Sequence, residues 1–209
     1  MSVRTLAGWS CVFALASIIV AGCSHGPARV TAPKISASSV AAKAIEQYDA
    51  DHDGKLSGAE LDACPSIKSA LDKIDTTSDG TVTAEKLTAR IQAWQKGVAR
   101  IGFGCTVLHN GEPLAGADVK FVPEKFMGGS YPTGTGKTSG LGKTDVTMPA
   151  TEGGDNRPGM PPGFYRVEIT KTGDNIPAKY NTETTLGQEI AVDNTIARSA
   201  DGVVFDLKY

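Results

Sequence analysis

The stretch "DADHDGKLSGAE", Asp49 to Glu60, constrains this chain more than any other. Carboxylates stand at loop positions 1, 3 and 5 (Asp49, Asp51, Asp53), glycine at 6 (Gly54) and glutamate at 12 (Glu60). Lys55 at position 7 need offer only its backbone carbonyl, and Ser57 at position 9 acts directly or through water. Hard oxygen donors at this spacing wrap a seven-coordinate ion. That suits calcium, whereas magnesium demands a smaller octahedral shell. Upstream, Ala41, Ala44, Ile45 and Tyr48 make one apolar helical face that ends at the loop. Leu56 at position 8 fits a short strand that would pair with a second loop of the same kind.

A second loop follows, "DTTSDGTVTAEK", Asp75 to Lys86. Its entering helix carries Ile67, Ala70, Leu71 and Ile74, and its exit helix Leu87, Ile91 and Trp94. Asp75, Thr77, Asp79, Gly80, Thr81 and Thr83 fall at ligand and turn positions, with Val82 at the pairing position. Position 12 is Lys86, whose ammonium has no lone pair and repels a cation. Glu85 stands one place early and points about a quarter-turn away. Both loops, with their helices, resemble the EF-hand family, strongly so in the first. The resemblance implies a pair spanning residues 40–97. The first loop would be the calcium site, and the second, weak or empty (Asp75, Thr77, Asp79, Thr81), would mainly cover apolar faces.

The N-terminus suggests the compartment. "MSVRT" supplies positive charge, an apolar run from Leu6 to Val20 follows, and "VAGC" ends at Cys23. So short an apolar run ending in small residues reads as a secretory signal over residues 1–22, not a spanning helix. Val20-Ala21-Gly22-Cys23 resembles the lipobox of bacterial lipoproteins, which implies cleavage before Cys23 and acylation of its thiol and amine. Several acyl chains anchor firmly where one would bind only marginally. Ser24 is not the aspartate that retains some lipoproteins at the inner membrane, so the expectation leans to the outer one. Residues 23–39, rich in Ser, Ala and Pro, read as a flexible tether. Calcium is abundant and steady outside the cytosol, so an affinity of about 10⁻⁴ M suffices there. At roughly tenfold excess it would stabilise the pair by about 1.4 kcal/mol. Calcium is thus expected as a structural clip; the alternative is a calcium-dependent binding or adhesion module.

After Gly97 the helical period stops. Asn110-Gly111 between apolar runs is a strong hairpin signal, and "YRVEIT", "QEIAV" and "VVFDLKY" read as strands. About seven short strands over residues 98–209 indicate a sandwich. The whole is α+β and multidomain: an all-α pair, then an all-β sandwich. "NGEPLAGADVKFVPE", "MPPGFYRVEIT" and "IPAKYNTETTL" resemble the carboxypeptidase regulatory-like, or transthyretin-like, domain. That resemblance implies no catalytic activity and a role as spacer, adhesion module or stabilising appendage, with a protein or polysaccharide as partner. The Gly-rich segment from Lys125 to Arg157 is expected to form an extended mobile loop.

Other chemistries find little support. Twenty-one basic against 23 acidic side chains make no field for nucleic acid. Gly136-Lys137-Thr138 lacks the earlier glycine and the following helix of a nucleotide loop. His25, His52 and His109 share no metal-ligand spacing, and no nucleophile sits in a recognisable elbow, so no enzyme is expected. Trp94 and Phe164 read as core. With Cys11 removed and Cys23 acylated, Cys64 and Cys105 remain. In an exported protein they suggest a disulfide stapling the two halves; the other reading is two separate buried thiols.

Overall fold

The computed structural model describes residues 35–97, 99–129, 131–149, 158–194 and 201–209. The signal-like segment, Cys23 and most of the stretch read as a tether lie outside them. Helix α1 (Ala37–Tyr48) begins inside that stretch, because the Ser36 hydroxyl caps it by accepting from the Ser39 amide at 3.3 Å. Its buried stripe is Ala37, Val40, Ala41 and Ala44, the spacing of one helical face. Next come β1 (Lys55–Leu56), α2 (Gly58–Ala63), α3 (Pro65–Lys68), α4 (Leu71–Ile74), β2 (Val82–Thr83) and α5 (Ala84–Gln95). β1 and β2 pair antiparallel, with Leu56 opposite Val82 and both fully buried.

The entering helix of the second hand was expected as one piece but is broken between α3 and α4. Ser69 sits at the break. Its hydroxyl donates to the Ser66 carbonyl at 2.7 Å and accepts the Glu189 amide at 2.8 Å. A local side-chain bond competes with helix continuation, and here the same hydroxyl serves a distant strand.

The rest of the chain forms β3 (Phe103–His109), β4 (Glu112–Pro113), β5 (Asp118–Pro123), β6 (Gly134–Lys137), β7 (Lys143–Val146), β8 (Gly163–Thr170), β9 (Gly187–Ile190) and β10 (Val203–Leu207). Asn110 and Gly111, at φ 54° and 89°, turn β3 into β4 as a two-residue hairpin requires. One sheet runs β6-β5-β8-β9; the other has β3 between a parallel β10 and the antiparallel β4 and β7. Their apolar faces meet: the Phe121 ring lies 5.1 Å from Phe103 and 6.2 Å from Phe205.

Eight strands are present among the described residues after Gly97, where about seven were expected. Two of them, β6 and β7, fall in the segment expected as a mobile loop. Two of the glycines that gave that impression, Gly134 and Gly136, are packing positions. A Cβ at Gly134 would lie 2.3 Å from Met160 Sδ, and one at Gly136 would lie 2.5 Å from Thr144 Oγ1.

The disulfide is not formed. Cys64 and Cys105 are both free and buried, in different surroundings. Cys64 ends α2 with its sulfur 3.6 Å from Ser66 Oγ, whereas Cys105 lies within β3, paired to Thr144 of β7 and Val203 of β10. Burial pushes each thiol up to about 12, helped by Glu124 at Cys64 and by Asp145 at Cys105. Among the described residues no helix is long and apolar enough to cross a membrane.

Candidate metal centre

The first loop brings Asp49, Asp51 and Asp53 together, each offering a carboxylate oxygen within 4.8 Å of the others. Backbone amides hold these side chains in place. Asp49 Oδ2 accepts from Gly54 at 2.9 Å, Asp49 Oδ1 and Asp51 Oδ1 from Asp53 at 3.2 Å each, and Asp53 Oδ1 from Lys55 at 3.1 Å. Gly54, at φ 84°, makes the sharp turn that lets its N–H reach back to Asp49. Lys55 lies in β1 and Ser57 at the N-cap of α2, so both stay on the loop.

Glu60 is not in the group of converging oxygens. Its carboxylate accepts from the Ser57 amide at 3.0 Å and the Ala50 amide at 2.8 Å, and these bonds hold it below the usual carboxylate range. It stays charged and faces the loop's own backbone. Three converging carboxylates, plus a fourth tied to the same loop, are a hard-oxygen donor set that fits calcium. A bound ion would supply counter-charge beyond that of Lys55, whose Nζ stands 3.5 Å from Asp53 Oδ2 on the exposed side.

The second loop has the same frame. Gly80, at φ 75°, donates to Asp75 Oδ2 at 2.7 Å, as Gly54 does to Asp49. At its centre lies the Lys86 ammonium, 2.8 Å from Asp75 Oδ1, 2.8 Å from Asp79 Oδ1 and 3.0 Å from the Thr81 carbonyl. Lysine at position 12 reads from sequence only as a missing ligand. In the fold its flexible stem turns inward.

The surroundings of the first loop carry contacts that sequence reasoning missed. Tyr48, the last residue of α1, donates its hydroxyl to Glu124 Oε2 at 3.0 Å. Ser66, beyond α2, donates to Glu124 Oε1 at 2.8 Å. The end of α1 and the short helix α3 just after α2 thus meet on one carboxylate of the β-sheet body, only 1% exposed. Burial raises the Glu124 pKa, and the two hydroxyls oppose the rise.

A second tie lies at α5. Arg90 clamps Glu189 through Nε and Nη2 at 2.6 and 2.7 Å, and Asp193 through Nη1 and Nη2 at 2.7 and 2.8 Å. Trp94 Nε1 donates to Glu189 at 2.9 Å. Burial raises Glu189 against the pull of Arg90, while Arg90 holds Asp193 below its usual value. Apolar contact continues across the same face, with Trp94 against Phe164 at 4.7 Å and Tyr48 against Phe126 at 6.2 Å. These partners lie up to 103 positions apart in the chain. The one available hint is Arg90 itself, a charge set in the apolar stripe of Leu87, Ile91 and Trp94.

A family model described as EF hand matches residues 41–64, which cover most of α1, the first loop and α2. No curated protein and no solved structure matches the chain. The match and the Asp49, Asp51 and Asp53 cluster together point to a divalent metal, calcium by its donors, at the first loop.

Proposed function

We propose that this chain is an exported, lipid-anchored protein in which one calcium ion acts as a structural clip, without enzymatic activity of its own. The observation that carries the reading is the double attachment of the first hand. Tyr48, at the end of the helix entering its loop, and Ser66, in the short helix α3 that follows the exit helix, are both hydrogen-bonded to Glu124. A sensor hand works by opening and exposing an apolar groove. Here the corresponding side chains, Tyr48 and Trp94, already pack on Phe126 and Phe164 of the β body. The ion would be held by Asp49, Asp51, Asp53 and Glu60, with the Lys55 carbonyl and Ser57 completing the shell. Its contribution is to balance their charge and fix the loop.

The two facing sheets support reading the β body as a carboxypeptidase regulatory-like sandwich, a scaffold or spacer for a protein or polysaccharide partner. Cys23 would carry the acyl chains that hold it at the outer membrane.

Calorimetric titration of the full chain in detergent is expected to give one calcium per chain, with a dissociation constant on the order of 10⁻⁴ M. Asp49→Asn should weaken binding at least tenfold. An unchanged isotherm in that variant would contradict the site. For the anchor, Cys23→Ala expressed in a bacterial host is expected to accumulate as an unprocessed precursor without acyl label. Normal processing and labelling would exclude lipidation there.

A further inference from the structure

An ammonium group carries three N–H donors, and all three of Lys86's are used. They meet the oxygens at loop positions 1, 5 and 7: Asp75 Oδ1, Asp79 Oδ1 and the Thr81 carbonyl. The Lys86 side chain is only 15% exposed and that of Asp75 only 6%, while Asp79 on the outer side of the loop is half exposed. Thr77, at position 3, closes the ring by donation instead of coordination; its hydroxyl contacts Asp75 Oδ1 at 3.1 Å and Asp79 Oδ2 at 2.9 Å. Thr81 adds its amide and hydroxyl to Asp79 at 2.9 and 2.7 Å. Burial works against the ammonium, yet the two carboxylates keep its pKa above the usual lysine value, and the ammonium in turn holds both carboxylate pKa values down.

We infer that the Lys86 ammonium is a built-in cation that stands permanently where a metal ion would sit in the second loop, making that hand metal-independent. Calcium could enter only by expelling an ammonium that has three partners, and would then find no carboxylate at position 12. The loop therefore stays folded in the absence of calcium. Through the pairing of Lys55 with Thr83 and Leu56 with Val82, it presents a finished strand to the first loop. Calcium then binds one preformed partner, without cooperativity. The stoichiometry rests on the first loop's being the calcium site; the role of Lys86 does not.

The test uses the full chain in detergent, with calcium or with chelator. Wild type should bind one calcium with a Hill coefficient of 1. Lys86→Met, which keeps the stem but removes the charge, should melt about 4 °C lower than wild type in chelator. Lys86→Glu should bind a second calcium, and its melting temperature should recover when calcium is added. Should Lys86→Met prove too unstable to handle, reductive methylation of wild type supplies the measurement. Lys86 is expected to react at least tenfold more slowly than exposed lysines such as Lys68, in chelator and in calcium alike. Two calcium ions on wild type, an unshifted melt for Lys86→Met, or methylation of Lys86 at the rate of Lys68 would each overturn the inference. A wild type that binds no calcium but still protects Lys86 would refute the first site and leave this one standing.

Discussion

A carboxylate as enclosed as Glu124 is costly to charge, and it is tolerated because Tyr48 and Ser66 both donate to it. Burial nevertheless leaves its folded-state pKa above the unfolded value of about 4.3. The sign follows. The folded state takes up this proton first, so the contribution to stability is full below the unfolded pKa and is lost as pH rises through the folded one. Glu124→Gln removes that dependence and keeps an acceptor, so between pH 4 and 7 the variant should lose less stability than wild type in denaturant melts. Glu189 is also raised, but it is present in both proteins and cancels in the comparison. Glu124→Ala leaves two hydroxyls without their acceptor and should cost about 2–3 kcal/mol at pH 7. Equal pH slopes for wild type and Glu124→Gln would show that Glu124 is not the group responsible.

Among the elements, what could be read in the sequence was whatever is written locally. The first calcium loop is a code of adjacent positions, α1 and α5 show their apolar stripes, and Asn110-Gly111 announces its hairpin. What could not be read depends on partners distant in sequence. Gly134 and Gly136 suggest a loop until Met160 and Thr144 are seen to press against them in strand β6. Gly187 begins β9 for a similar reason, since a Cβ there would lie 2.4 Å from the Ser66 amide of α3. The parallel pairing of β10 with β3 joins elements nearly a hundred residues apart and has no local signature. Counting leftover cysteines suggested a staple between the two halves. The fold joins them with Glu124, Arg90 and Glu189 and leaves each thiol free and buried in its own setting. At position 12 of the second loop, residue type alone predicted repulsion of a metal. It could not say that the side chain would take the metal's place.

For the molecule as a whole, the helical pair and the β-sheet body share one buried apolar core, crossed by two buried polar ties. Such an interface leaves little freedom for a hand to open, because opening would uncover Trp94 and Phe164 and separate Glu189 from Arg90. Calcium at the first loop is then expected to add stability without changing shape, and its loss to loosen the loop before the interface. Hydrogen exchange of the full chain, followed by mass spectrometry with calcium and with chelator, tests this most directly. The account predicts that calcium slows exchange in the first loop and the adjoining ends of α1 and α2, while α5, β8 and β9 keep their protection in both conditions. Faster exchange around Ser66, Trp94 and Gly187 when calcium is added would mean that the hand opens, and would contradict the account.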